Sequence, residues 1–179
     1  MTKTHLSKNS VSLAGEFAVL SKLALLGYDA NMTLGNTKNV DILAASPKGK
    51  MFRLEVKTAR KGSPGKYGAF EGTYKWPITV REKVNKTGSF FYCFVLLEDE
   101  NSRTRFFIVP SSMVTKYTEQ AHKHWLAMNK SHKDSDMRVF RLGQGKETFK
   151  ITAPLAKQYE VWNEKRQSKR VKASECGTK

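Results

Sequence analysis

The sequence predicts an α/β fold: one sheet flanked by helices. Three stretches carry that expectation. Ser12 to Leu26 repeats apolar residues at helical spacing, Val40 to Lys57 reads as two strands joined by a turn, and Phe90 to Leu97 is an unbroken apolar run of strand length. The chain has 179 residues, 39% hydrophobic and 27% charged, which suits one domain with a real core. Residues 1–9 read as a loose polar N-terminus, 10–164 as the domain and 165–179 as a basic tail. No internal repeat is visible.

The first helix places Leu13, Phe17, Leu20 and Ala24 on one stripe, which Val19, Leu23 and Leu26 widen. Ser10 or Ser12 suits its N-cap and Gly27 its C′ position. Glu16 lies near the start, at the edge of the apolar face. It is either an acid favoured by the helix dipole or one that reaches a functional site. Tyr28 to Leu34 follows as a strand, and Gly35 to Lys38 as a turn. Ser46-Pro47-Lys48-Gly49 joins the next two strands, because Pro presets φ and Gly tolerates a positive one.

Thr58 to Trp76 reads as a long loop, with glycines at 62, 65, 68 and 72. Arg60, Lys61, Lys66 and Lys75 alternate there with Tyr67, Phe70, Tyr74 and Trp76. Such a loop either holds phosphates and stacks on bases or uses its aromatics as anchors in the core. Thr79 to Glu82 matches a capping box, which predicts a short helix to Lys86. Phe90 to Leu97 is expected to be a central strand, Glu98 to Arg103 a polar turn and Thr104 to Val109 the next strand. A helix then runs from Ser111 or Ser112, read as caps, to about Met128. His122, His124 and His132 make a poor metal set, because residues two apart on a helix point in nearly opposite directions. Strands over Met137–Leu142 and Thr148–Thr152 follow. A last helix from Ala153 to about Lys165 sets Leu155, Tyr159 and Trp162 on one face.

Charge narrows the partners. There are 32 Lys+Arg against 16 Asp+Glu, a net charge of +16. A field of that sign attracts polyanions, nucleic acid above all. Lys165, Arg166, Lys169 and Arg170 form a basic arm or a helical extension over a phosphate backbone, or else a solvated tail. Lys38 is a phosphate contact or a solvated turn lysine. The first apolar segment contains Glu16 and Lys22, which does not read as a signal peptide, and no run is long enough to span a bilayer. Two cysteines, Cys93 in a strand and Cys176 in the tail, make no disulfide framework, so a reducing cytoplasm is expected.

The chemistry concentrates between Asp41 and Lys57. Residues two apart on a strand share a face, so Glu55 and Lys57 point one way and Leu54 and Val56 the other. A hairpin brings Asp41 close to Glu55. Two converging carboxylates need a positive charge between them, and a hard divalent cation such as Mg²⁺ is the usual solution. Lys57 adds a fixed positive charge. Together these groups are suited to cutting a phosphodiester.

Asp41 followed fourteen positions later by Glu55-Val56-Lys57, with both halves on apolar strands and a Glu16-bearing helix before them, resembles the PD-(D/E)XK or restriction-endonuclease-like nuclease superfamily. The motif-bearing match covers about residues 12–58, and Val40 stands where the family's name has proline. The resemblance implies a mixed sheet in αβββαβ order and a metal-dependent endonuclease, acting on DNA before RNA. It implies Mg²⁺, with Mn²⁺ as substitute, on Asp41, Glu55 and the Val56 carbonyl, with Glu16 completing the site through water or a second ion. Lys57 then positions the attacking water. A homodimer suits the cutting of two strands, and a prokaryotic or phage origin is expected. The alternatives are a binding module on the same fold that holds nucleic acid without cutting it, and a scaffold for an acidic protein.

Overall fold

The computed structural model describes residues 6–33, 40–61, 73–79, 89–98, 103–143 and 153–162. Helix α1 spans Lys8–Leu25 and is followed by strands β1 (Asp29–Met32), β2 (Ile42–Ala45), β3 (Met51–Lys61), β4 (Thr73–Thr79), β5 (Phe90–Glu98) and β6 (Arg103–Pro110). Helix α2 (Ser111–Met128), β7 (Met137–Gly143), the one-turn α3 (Ala156–Tyr159) and β8 (Glu160–Val161) complete the order. Six strands form one sheet in the order β1-β2-β3-β5-β6-β8, and β4 pairs with β7 in a separate ribbon. Among the described strands, β3 and β5 pair in parallel and the other pairs are antiparallel. The architecture is mixed α/β with a mostly antiparallel central sheet.

The two faces of the sheet feed two cores. On one face Ile42, Ala44, Leu54, Val56, Cys93, Val95 and Phe106 pack under Val19 and Leu23 of α1. On the other, Tyr92, Phe94, Phe107 and Val109 meet Trp76 and Ile78 of β4, Phe140 and Leu142 of β7, and Val114 and Tyr117 of α2. β5 supplies both cores, as its unbroken apolar run predicts. Phe94 and Phe140 stack at 4.5 Å, and the Trp76 indole donates to the Val95 carbonyl at 3.0 Å.

Several expectations are corrected. Ser7, not Ser10 or Ser12, caps α1: its hydroxyl accepts from the Ser10 N–H at 3.0 Å. The buried stripe of α1 is Gly15, Val19 and Leu23, whereas Leu13 and Phe17 are 46% and 56% exposed. Gly27 does take the left-handed conformation (φ 75°) after the helix. Much of the expected loop is strand: β3 continues to Lys61 and β4 begins at Thr73. Trp76 is fully buried, and Tyr74 accepts a hydrogen bond from Arg105, so both rings are anchors in the core and not base-stacking platforms. Tyr67 and Phe70 lie outside the described residues. So do the strand expected over 148–152 and all but Thr79 of the expected short helix; Thr79 itself ends β4.

Ser111 is buried and makes no cap bond; Pro110 holds the N-cap position of α2. The last helix is a single turn. After Tyr159 the chain joins the edge of β6, where Glu160 takes Arg105 in a two-pronged ion pair (2.8 and 2.9 Å) and Trp162 meets Phe106 edge-on at 5.1 Å. Edge pairing and a desolvated Arg–carboxylate fork outweigh local helix propensity here.

Candidate functional site

β2 pairs with β3 only from Met51 to Leu54. From Glu55 onward no described strand pairs with that edge of β3. Asp41, one residue before β2, occupies the gap. Its N–H donates to the Leu54 carbonyl (2.9 Å), and its Oδ2 accepts from the Val56 N–H (2.7 Å). The side chain thus supplies the acceptor that a paired strand would have offered. Along a strand the N–H and C=O of one residue point to the same edge, so the Val56 carbonyl also faces this gap.

Thr33 holds Asp41 from the other side. Its N–H donates to the Asp41 carbonyl at 2.9 Å, and its hydroxyl donates to the Val40 carbonyl. On β5, Tyr92 is the register partner of Glu55. Thr33, Asp41, Glu55 and Tyr92 therefore form one row across the sheet, and Lys57 stands two residues further along β3.

Glu55 is only 6% exposed. Its Oε1 lies 2.6 Å from Lys57 Nζ, while its Oε2 is buried and makes no hydrogen bond. The Tyr92 hydroxyl stands beside this carboxylate. Burial first, then the negative charge of Glu55 and hydrogen bonding to it, push the phenol far above its ordinary range, so it stays neutral. Tyr92 is the lone hydroxyl in the FFYCFVLL run, which is the only signal by which sequence reading finds it.

Glu16 lies on α1, which covers the face opposite Glu55 and Lys57, and its Oε1 accepts from the Ser12 hydroxyl at 3.0 Å. Among the described residues, no three His, Cys, Asp or Glu side chains stand close enough together to hold a metal ion. The structure thus links Asp41, Glu55 and Lys57 along one sheet edge and does not draw Glu16 into a three-carboxylate cluster. A divalent cation nevertheless fits the donor set of Asp41 and Glu55: both are hard oxygen ligands, and Glu55 Oε2 is an orphaned buried acceptor that a cation would satisfy.

Of the cationic residues, Arg60 and Lys75 are described and half-buried, and Lys61 ends β3. Lys75 sits opposite Arg141 on the β4–β7 ribbon; burial, and secondly the charge of Arg141, lower its pKa. Lys38, Lys66, Lys165, Arg166, Lys169 and Arg170 fall outside the described residues. Two of the histidines have other partners. His122 pairs with Asp134 at 2.7 Å, and His132 lies flat on Trp125 with ring centres 4.0 Å apart.

The described fold and site define a mixed α/β protein with an acid–lysine pair at an open sheet edge. No protein-family model matches the chain, and no curated protein matches its sequence. Among solved structures, it is similar to a bacterial homing endonuclease, I-Ssp6803I. The TM-score is 0.47 and the identity 13%, over 95% of this chain and 99% of that one. Among the described residues, no helix is long and apolar enough to cross a membrane.

Proposed function

We propose that this chain is a metal-dependent endonuclease of the PD-(D/E)XK type, hydrolysing phosphodiester bonds in DNA before RNA. The observation that carries the reading is Glu55: a buried carboxylate with Lys57 on one oxygen and nothing on the other, next to an aspartate fastened at an open strand edge. A buried charge with an unused acceptor is costly unless something positive completes it.

Asp41, Glu55 and the Val56 carbonyl are the residues that would hold Mg²⁺ or Mn²⁺, with Glu16 contributing through water. When bound, the ion supplies a Lewis acid that acidifies water and stabilises charge on the phosphate. Asp41 is held in place by Thr33, Leu54 and Val56, so its position is set before substrate arrives. Lys57, with a third of its side chain exposed, orients the attacking water and neutralises charge on the phosphoryl oxygens. The net charge of +16 favours a polyanionic partner. A homodimer would present one site to each strand, and a reducing cytoplasm suits the free, buried Cys93.

A second reading, a binding module that does not cut, is favoured by the position of Glu16 outside a three-carboxylate set and by the closed Lys57–Glu55 pair. Supercoiled plasmid decides between them. Wild-type protein is expected to nick it only with Mg²⁺ or Mn²⁺, and Asp41→Ala and Glu55→Gln to lose at least about a hundredfold in rate while still binding DNA. Retained binding with no nicking under either ion would establish the module.

A further inference from the structure

Glu55 has a polar neighbour on each side of its strand. Asp41 stands on the β2 side, fastened to the Val56 N–H, and Tyr92 stands on the β5 side as the register partner of Glu55. Register partners point to the same face of a sheet, so the phenol and the carboxylate lie side by side. Tyr92 is buried, and its hydroxyl hydrogen-bonds to Glu55. The ring is pinned along β5. Phe90 lies 5.4 Å away, and Phe94 lies 5.7 Å away and nearly parallel, at 8°. Phe94 stacks in turn on Phe140 of β7, so the phenol is built into the core.

The two side chains that meet Glu55 differ in kind. Lys57 is a cation on a flexible stem, already paired with Oε1, and it competes with any ion that arrives there. The phenol is an uncharged donor on a rigid ring. It can hold the carboxylate without repelling a metal. The terminal torsion of a glutamate is soft, so a fixed contact is needed to keep the unbonded Oε2 in one direction.

We infer that Tyr92 is a positioning residue for a divalent cation: its hydroxyl holds the Glu55 carboxylate aimed at the gap beside Asp41 and so raises the affinity of that gap for the ion. This rests on the reading of Asp41 and Glu55 as the metal ligands. Carboxylates that ligate a metal are themselves held by hydrogen bonds from behind, and the loss of one such bond costs about ten- to a hundredfold. Tyr92 acts through Glu55 and is not a ligand, so it sets how tightly the ion binds more than how fast the loaded site turns over.

The test titrates Mn²⁺ alone into the full chain, without DNA, and reads free Mn²⁺ by electron paramagnetic resonance. Tyr92→Phe keeps the ring between Phe90 and Phe94 and removes only the hydroxyl. It is expected to weaken Mn²⁺ binding about tenfold. Tyr117→Phe is the control. It takes a hydroxyl from another buried tyrosine of the same core and should leave Mn²⁺ affinity unchanged, whatever it costs in Tm. In plasmid nicking, the Mn²⁺ concentration for half-maximal rate should rise about tenfold for Tyr92→Phe, with the rate at saturating Mn²⁺ within a few-fold of wild type. Equal Mn²⁺ affinity in wild type and Tyr92→Phe overturns the assignment, as does an equal loss in Tyr117→Phe. A wild type that binds Mn²⁺ but never nicks sinks the nuclease reading alone, and the same titration still decides Tyr92. A wild type that binds no Mn²⁺ overturns both.

Discussion

Lys57→Met is expected to stop cleavage and, at the same time, to tighten divalent-cation binding. Methionine keeps most of the aliphatic stem and removes the ammonium group. In the wild type, Lys57 Nζ sits 2.6 Å from Glu55 Oε1, so an ion arriving at Glu55 competes with a positive charge already present. Removing that charge leaves a carboxylate that is 6% exposed with neither oxygen compensated by a cation. The variant should lose about 1–3 kcal/mol of stability in metal-free buffer; the lysine's partial exposure places the cost below that of breaking a fully buried pair. Mn²⁺ should then raise its Tm by more than it raises that of the wild type, because ligand stabilisation grows with affinity. Nicking should fall by roughly a hundredfold or more, since the charge proposed to face the phosphate is gone. Equal Tm responses would show that lysine and ion do not share Glu55. Nicking at the wild-type rate would remove Lys57 from the reaction.

The parts of the site that sequence reading reaches are those set by short-range rules. Period-two alternation puts Glu55 and Lys57 on one face, and a four-residue turn fixes the β2–β3 register that brings Asp41 to Val56. Tyr92 enters the picture only through the β3–β5 pairing, which no local pattern encodes. The first helix shows the same limit from another side. It carries two apolar stripes, one through Leu13 and Phe17 and one through Val19 and Leu23, and periodicity alone favours the wrong one. The stripe that packs includes a glycine, which hydrophobicity does not count as a core residue. The reach of Glu16 is set in the same way, by how α1 is rotated on the sheet. The final segment fails differently, because the free edge of β6 and the charge of Arg105 convert a helical pattern into a strand.

Gly15→Ala should destabilise the protein even though the same change in an ordinary helix stabilises it. Within a helix, alanine is favoured over glycine by about 0.5–1 kcal/mol. At Gly15 a Cβ would fall 1.9 Å from Thr58 Oγ1 and 2.9 Å from both Thr58 Cβ and Cγ2. Turning the threonine about χ1 moves the hydroxyl but leaves its Cβ in place, so α1 must lift from β3. The net loss expected in urea unfolding is about 1–3 kcal/mol, the range for overfilling a close-packed contact. Thr58→Ala supplies the control. Its Oγ1 is buried and makes no hydrogen bond, so removing it costs little, and it clears two of the three overlaps. The double variant should regain most of the stability, giving a coupling of about 1 kcal/mol or more in the cycle. Under the proposed role of Glu16 the effect extends to function, because Glu16 is the next residue and moves with the helix. Gly15→Ala should therefore lower the nicking rate, and Thr58→Ala should restore it alongside stability. A Gly15→Ala protein as stable as the wild type would mean that α1 does not rest on β3 at this contact.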